Sequence, residues 1–224
     1  MEENKNYISQ EPDIYTINNI ITVKECEHII NIGKPHLKRA HVCADTGKSS
    51  ISSGRTNSSY WIPHNYDEIT QKVCQRISDI VNIPLEFAEN MQFIYYDKNQ
   101  RYNRHYDGWK HDKTEYSFKR MNISGQRLVT ALCYLNTVEK GGSTTFTKLN
   151  ISVPAEKGKL LVFHNVYKNT NKLHPNTEHA GTPVLSGEKY AFNLWFREVP
   201  RGESLQIYDD KKYSEILPID KVKL

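Results

Sequence analysis

The sequence predicts an α+β protein with an antiparallel sandwich or jelly roll at its core. Two observations carry this. Two helix-patterned segments lie within the first 81 residues, and from Pro84 onward the chain turns to short β-rich runs punctuated by Gly, Pro and Asn. Helices in one block and strands in another, rather than in alternation, argue against a parallel α/β sheet. With 224 residues, 38% hydrophobic and 25% charged, the chain suits one soluble domain with a sizeable core, or at most two small ones.

Taken in order, residues 1–12 read as a flexible lead-in, and Ile14-Tyr15-Thr16-Ile17 has strand character. Thr22 followed by Glu25 is a capping-box pattern. Cys26, Ile29, Ile30 and Ile32 then supply an apolar stripe, which Gly33 and Pro35 end. Ala44 to Gly54 is rich in Gly, Ser and Asp and reads as a mobile hairpin loop, with a strand over Arg55–Ile62 after it. A second helix over Asp67–Val81 carries Ile69, Val73, Ile77 and Ile80 at helical spacing. Both helices read as packing elements. Strands follow at Met91–Tyr96, around His105, at Arg127–Asn136, after the Gly141-Gly142 turn, at Lys159–Phe163 and at Lys189–Phe196. The charged stretch Lys110–Gln126 receives no element. The expected organisation is one domain over 13–199 and a charged C-terminal tail over 200–224, without internal repeats.

Several function classes are disfavoured by composition. A net charge of +4 is too mild to argue for nucleic acid. No apolar run approaches the ~18 residues that a membrane helix needs, and the polar start lacks the apolar core of a signal peptide. Cys26, Cys43, Cys74 and Cys133 show no CxxC spacing, so reduced thiols in a cytoplasmic or other intracellular setting are expected.

Chemistry concentrates at His105-Tyr106-Asp107. In an extended strand, residues two apart share a face. An imidazole and a carboxylate therefore converge, two-thirds of the 2-His-1-carboxylate arrangement of non-haem Fe(II) oxygenases. His179 can close that triad from a distant strand, with His174 as competitor. Lys189 opens a strand of Tyr, Ala, Phe, Leu and Trp, where a buried ammonium needs a partner that a dicarboxylate would supply.

With these residues in place, the chain resembles the prolyl 4-hydroxylase family of Fe(II)/2-oxoglutarate dioxygenases, in its small single-domain form, over about residues 14–197. His105, Asp107 and His179 match the family's metal positions. Lys189, ten residues beyond His179, matches the group that binds the far carboxylate of 2-oxoglutarate, and Tyr96, nine before His105, the tyrosine hydrogen-bonded to it. Gly141-Gly142-Ser143-Thr144-Thr145-Phe146 matches a Gly-Gly-Glu-Thr-x-Phe pattern that puts Thr144 in the cosubstrate pocket. Trp195 matches a tryptophan beside the metal. Ser143 replaces the usual Glu, and Arg197 stands where some relatives carry a substrate-contacting His.

The resemblance implies a double-stranded β-helix (jelly-roll) core with the N-terminal helices packed on one sheet. It implies Fe(II), with 2-oxoglutarate and O2 as cosubstrates and ascorbate as a further cofactor. The implied reaction hydroxylates C4 of a peptidyl proline and releases succinate and CO2. The implied partner is a proline-rich or collagen-like peptide, preorganised as polyproline II and docking on aromatics. Tyr102, Trp109 and Tyr60 are candidate groove aromatics; Arg55 and Arg127 are candidate carbonyl contacts; the 44–54 loop would cover the groove. Neither membrane nor nucleic acid is expected as a partner. A nucleic-acid demethylase, a non-catalytic metal- or sugar-binding jelly roll, and an inactive hydroxylase remain as alternatives. The frequent use of Arg for 2-oxoglutarate in the first, and the presence of Lys189 and the whole triad here, weigh against them.

Overall fold

In the computed structural model, which describes residues 4–43, 49–111 and 115–201, sixteen strands and three α-helices are assigned. The early strands are β1 (Asn6–Gln10), β2 (Asp13–Ile17), β3 (Lys38–Arg39), β4 (Val42–Cys43), β5 (Ser49–Ser50) and β6 (Ser58–Ile62). The middle ones are β7 (Met91–Tyr96), β8 (Tyr102–His105), β9 (Arg127–Tyr134), β10 (Lys140–Gly141) and β11 (Thr144–Phe146). The last are β12 (Ile151–Val153), β13 (Leu160–His164), β14 (His179–Gly181), β15 (Val184–Ser186) and β16 (Lys189–Arg197). A large sheet runs β1-β2-β13-β9-β16-β7-β6-β3, and a small one β12-β11-β14-β8. Their pairings are antiparallel throughout. This is the jelly-roll architecture.

Strand periodicity divides the large sheet into two faces. Along β16, Tyr190, Phe192, Leu194 and Phe196 enter one apolar cluster, with Phe93 of β7 and Ala131 and Cys133 of β9. The same cluster takes Cys26 and Ile29 from α1 (Val23–Gly33) and Val73, Cys74, Ile77 and Ile80 from α2 (Glu68–Val81). The helices therefore cover that face, and each buried aromatic or branched side chain there contributes about 1.5–3 kcal/mol. Ala191, Ile94, Leu132, Tyr134 and Leu161 point the other way and meet Phe146 and Val153 of the small sheet. The space between the sheets opens at one end into the candidate site.

Local sequence explains the helix ends. Thr22 Oγ1 accepts from Glu25 N–H at 3.2 Å and Glu25 Oε2 from Thr22 N–H at 2.7 Å, the expected capping box. Gly33 ends α1 against the Phe93 ring, which lies 2.3 Å from where a Cβ would stand. Asp67 caps α2 through Thr70. Ile69, expected in the apolar stripe of α2, is exposed, because Thr70, Val73 and Cys74 occupy the inner face.

Other expectations need correction. Residues 6–10 of the expected flexible lead-in form β1, because their backbone completes an edge of the large sheet against β2. The stretch 110–126 contains α3 (Glu115–Asn122). Residues 44–48 of the expected mobile loop lie outside the described residues, while Val42–Cys43 and Ser49–Ser50 pair as β4 and β5. The tail from 202 onward also lies outside them. Cys26, Cys74 and Cys133 are free and buried. Among the described residues no helix is long and apolar enough to cross a membrane.

Candidate active site

The two histidines of the site are cross-strand partners. His105 ends β8 and His179 begins β14, and these residues face each other in the antiparallel register. Non-neighbouring segments are thus joined by sheet pairing, and the rings lie 4.3 Å apart. Asp107 is not on the strand, as periodicity predicted. It lies in the bend after β8, which turns its carboxylate back, with Oδ1 3.7 Å from His105 Nε2 and Oδ2 3.6 Å from His179 Nε2. One ligand atom from each of the three falls within 4.8 Å of the others.

The imidazoles are oriented for a metal. His105 Nδ1 donates to Asn103 O at 2.8 Å and His179 Nδ1 to Thr177 O at 2.9 Å. With Nδ1 protonated, the Nε2 lone pairs point into the site, the usual outer support of metal-binding histidines. Burial, with His179 adjacent, pushes His105 down to about 3. Burial tends to raise Asp107, but His179 and His105 outweigh it and hold the carboxyl below its ordinary range. Asp107 Oδ2 also accepts from Thr130 Oγ1 at 2.8 Å, and Thr130 Oγ1 in turn accepts from Asn165 Nδ2 at 2.9 Å. Because Asn165 occupies a lone pair of the Thr130 hydroxyl, its single proton is directed at Asp107, leaving Oδ1 for a ligand.

Deeper in the cavity lies Lys189, 2% exposed. Its ammonium donates to Gly142 O at 2.7 Å and sits over the Tyr96 and Tyr134 rings, 5.3 and 5.2 Å from their centroids. No carboxylate pairs with it among the described residues. Burial alone depresses its pKa to about 7. Thr144 is buried beside it and accepts from the Tyr134 hydroxyl at 2.8 Å. Trp195 Nε1 is buried beside Asp107, close enough to help lower its carboxyl but outside the geometry of a full hydrogen bond. The Lys189 amine, the Tyr96 phenol, the Thr144 hydroxyl and the Trp195 indole line a cavity of about 730 Å³, a donor set that fits a small dicarboxylate.

The rim departs from expectation in informative ways. Tyr60 is not a groove aromatic: it packs with the helix-side cluster and stacks on His36. Its neighbour Trp61, one residue on and so on the opposite face, lines the cavity and is 42% exposed. Tyr102 stacks on His105 at 3.6 Å, and the Arg55 guanidinium lies 4.6 Å from the centroid of the Tyr102 ring. Arg55 also donates to Asn57 Oδ1 and His41 O. Arg127 lines the cavity, but its guanidinium grips Glu89 at 2.6 and 2.8 Å and stacks on Trp195 at 3.7 Å. Arg197 also binds Glu89, at 3.0 Å, and donates to the carbonyls of Arg120, Ile123 and Ser124 at the C-terminal end of α3. Trp109 lies under both arginines. Burial tends to raise Glu89, but the two guanidiniums outweigh it and keep the carboxyl low. His174 is absent from the cluster. It pairs with Glu11 and caps the turn 175–177.

Sequence reasoning missed Tyr134, Thr130, Asn165, Glu89 and Trp61. Tyr134 and Thr130 share the inward face of β9 with Leu132, so strand phasing from a known site residue could have found them. Nothing local marks Asn165 or Glu89.

Residues 91–197 match the model of the 2OG-Fe(II) oxygenase superfamily. The chain is 34% identical over 211 residues to Probable prolyl 4-hydroxylase 8 of Arabidopsis thaliana, covering 84% of this chain and 70% of that one. It is 33% identical over 209 residues to Prolyl 4-hydroxylase 5 of the same plant, covering 84% and 69%. Among solved structures it is similar to the viral collagen prolyl hydroxylase of Paramecium Bursaria Chlorella virus-1 in complex with 2OG. The TM-score is 0.65 at 28% identity, over 82% of this chain and 95% of that one.

Proposed function

Because the chain belongs to the prolyl 4-hydroxylase family of 2OG-Fe(II) oxygenases, we propose that it hydroxylates C4 of a prolyl residue in a proline-rich or collagen-like peptide. The observation that carries this reading is the pairing of a convergent His105–Asp107–His179 cluster with a buried, carboxylate-free Lys189 in one cavity. In this reading, His105 Nε2, His179 Nε2 and Asp107 Oδ1 hold Fe(II). Three protein ligands leave the remaining positions of the ion for 2-oxoglutarate and O2. Bound iron supplies the redox chemistry that couples decarboxylation of 2-oxoglutarate, to succinate and CO2, with insertion of one oxygen atom into the C4–H bond; ascorbate serves as reductant.

The chain's own residues select, orient and seal. Lys189 takes the far carboxylate of 2-oxoglutarate, with the Tyr96 and Tyr134 phenols and Thr144 around it; a buried cation has no better partner than a small anion. Trp195 Nε1, buried beside Asp107, would steady that carboxylate once a metal is held. Thr130 and Asn165 fix the rotamer of Asp107. Glu89 holds Arg127 and, through Trp109 and Trp195, the wall on which the peptide lies. Tyr102 and Trp61 present aromatic surface to the proline rings at the mouth, and Arg55 meets the peptide backbone.

The test is incubation with Fe(II), 2-oxoglutarate and a proline-rich peptide, following succinate release and the mass of the peptide. Stoichiometric succinate and one added oxygen per hydroxylated proline are expected, with a single-stranded DNA oligomer inert. Turnover of the oligomer and not the peptide would replace the reading with a nucleic-acid oxygenase. Metal binding without succinate would make the domain a binding module.

A further inference from the structure

A second cavity of about 530 Å³ shares Tyr102 and Gly181 with the active-site cavity and is lined also by Arg101, Asn103, Arg104, Ala180, Thr182 and Pro183. Charge around the two cavities is one-sided. Among the described residues, Arg55, Lys110 and Arg120 line the first cavity, Arg101 and Arg104 the second, and the sole carboxylate of either lining is Asp107. Arg55, Arg101 and Arg104 make no ion pair with a described residue. Of the acids in the flanking segments, Asp97 accepts from the Lys98 N–H of its own turn, and Glu178 lies 3.9 Å from Lys148. The backbone here is held in place. Arg101 N–H donates to Thr56 Oγ1 at 2.8 Å, Thr56 N–H to Arg101 O at 2.9 Å, and Asn103 N–H to Gly54 O at 2.7 Å. Arg101 Nε leans on Asn103 Oδ1 at 3.2 Å.

Arg101 and Arg104 are exposed, border this second cavity and make no ion pair with a described residue, which suits them to carboxylate or phosphate oxygens. We propose that this second cavity is a specificity subsite for an anionic side chain of the substrate, flanking the target proline on one side. The ligand chemistry is a carboxylate or a phosphate monoester, from Asp, Glu or a phosphorylated residue. The inference rests on the peptide-hydroxylase reading and names the class of peptide preferred. A plain polyproline segment would occupy the aromatic mouth and leave this end unused.

The experiment compares proline-rich peptides bearing Glu, phosphoserine, Gln or Lys in turn at each position around one proline, with kcat/KM read from hydroxyproline formation. Glu is expected to exceed Lys by about five- to thirty-fold at one or two positions on one side, the range for one or two partly exposed ion pairs. The ratio should shrink with added salt. In the double variant Arg101→Glu/Arg104→Glu the order should invert, with Lys preferred over Glu at the same positions. The phosphoserine arm tells whether a carboxylate or a phosphate is the better ligand. Charge-independent rates, or a Glu preference that survives the double variant, would overturn the subsite while leaving the hydroxylase reading intact. DNA-oligomer binding lost in the double variant, together with charge-blind peptide rates, would likewise overturn it. Failure of every peptide, neutral ones included, would overturn the hydroxylase reading itself.

Discussion

The buried ammonium of Lys189 makes the binding of 2-oxoglutarate depend on pH in a calculable way. Burial lowers its pKa from 10.5 to about 7. At 1.36 kcal/mol per unit, that is about 5 kcal/mol to keep the charge in the empty cavity. A dicarboxylate binds the charged form, so affinity is full below pH 7 and falls about tenfold per unit above it, until the pKa reached in the complex. Titration calorimetry on the Mn(II)-loaded protein, which does not turn over, should show about a fiftyfold loss between pH 7 and 9, with proton uptake. Lys189→Arg, charged throughout, should be nearly flat. Lys189→Met should lose at least about a hundredfold in affinity yet gain stability in the free protein. The sign follows from linkage. The folded pKa lies below the unfolded one, so the unfolded chain binds more protons between pH 7 and 10.5, and stability of the wild type rises with pH across that window. Removing the amine at pH 7 relieves at most about 5 kcal/mol, less ~1 kcal/mol for the bond to Gly142. A flat affinity from pH 7 to 9, or a Lys189→Met protein less stable than wild type, would refute the argument.

Thr130→Val keeps the side-chain volume but removes the proton that holds Asp107 Oδ2; metal affinity, read by Co(II) absorption, should fall about tenfold or more, with Thr130→Ser close to wild type. His179→Ala should abolish metal binding and turnover, whereas His174→Ala, which loses its contact with Glu11, a turn cap and its packing on Tyr167, should keep both. Arg197→Met leaves Glu89 with one guanidinium and frees three carbonyls at the end of α3, so urea unfolding should show a loss of about 3–5 kcal/mol. Its peptide KM should rise more than its KM for 2-oxoglutarate, since Ser117 and Arg120 beside the cavity depend on α3.

What the sequence disclosed follows the range of the forces involved. Local patterns carried well: the Thr22–Glu25 cap, the Gly33 stop and the burial of Lys189 in an apolar strand are all set within a few residues. His105 and Asp107 were found through an assumed strand, although the strand ends at His105 and a bend does the aiming. Pairings across long separations did not carry. Glu89 meets Arg197 108 positions away, and Asn165 meets Thr130 35 away, so neither is marked by its neighbours. Tyr60 was preferred to Trp61 because the phase of β6 is set by its pairing with β7, which composition does not show. Arg127 was read as free to touch substrate because the counter-ion that engages it is remote in the chain. The helix α3 escaped because it is only 8 residues long and lies in a strongly polar segment.

The cross-strand placement of His105 opposite His179 bears on how the molecule matures. A slip of one position between β8 and β14 would turn one ring to the outside, since neighbouring side chains alternate across a strand. An ion gripped by both rings would therefore favour the correctly aligned pairing over every shifted one, and add its binding energy to that alignment alone. Metal capture then acts as proofreading of assembly: misaligned chains would lack catalysis and also miss a tether that the aligned ones gain. Amides of β8 and β14 should accordingly exchange hydrogen more slowly once metal is added, while those of α1 and α2, on the far side of the large sheet, change little.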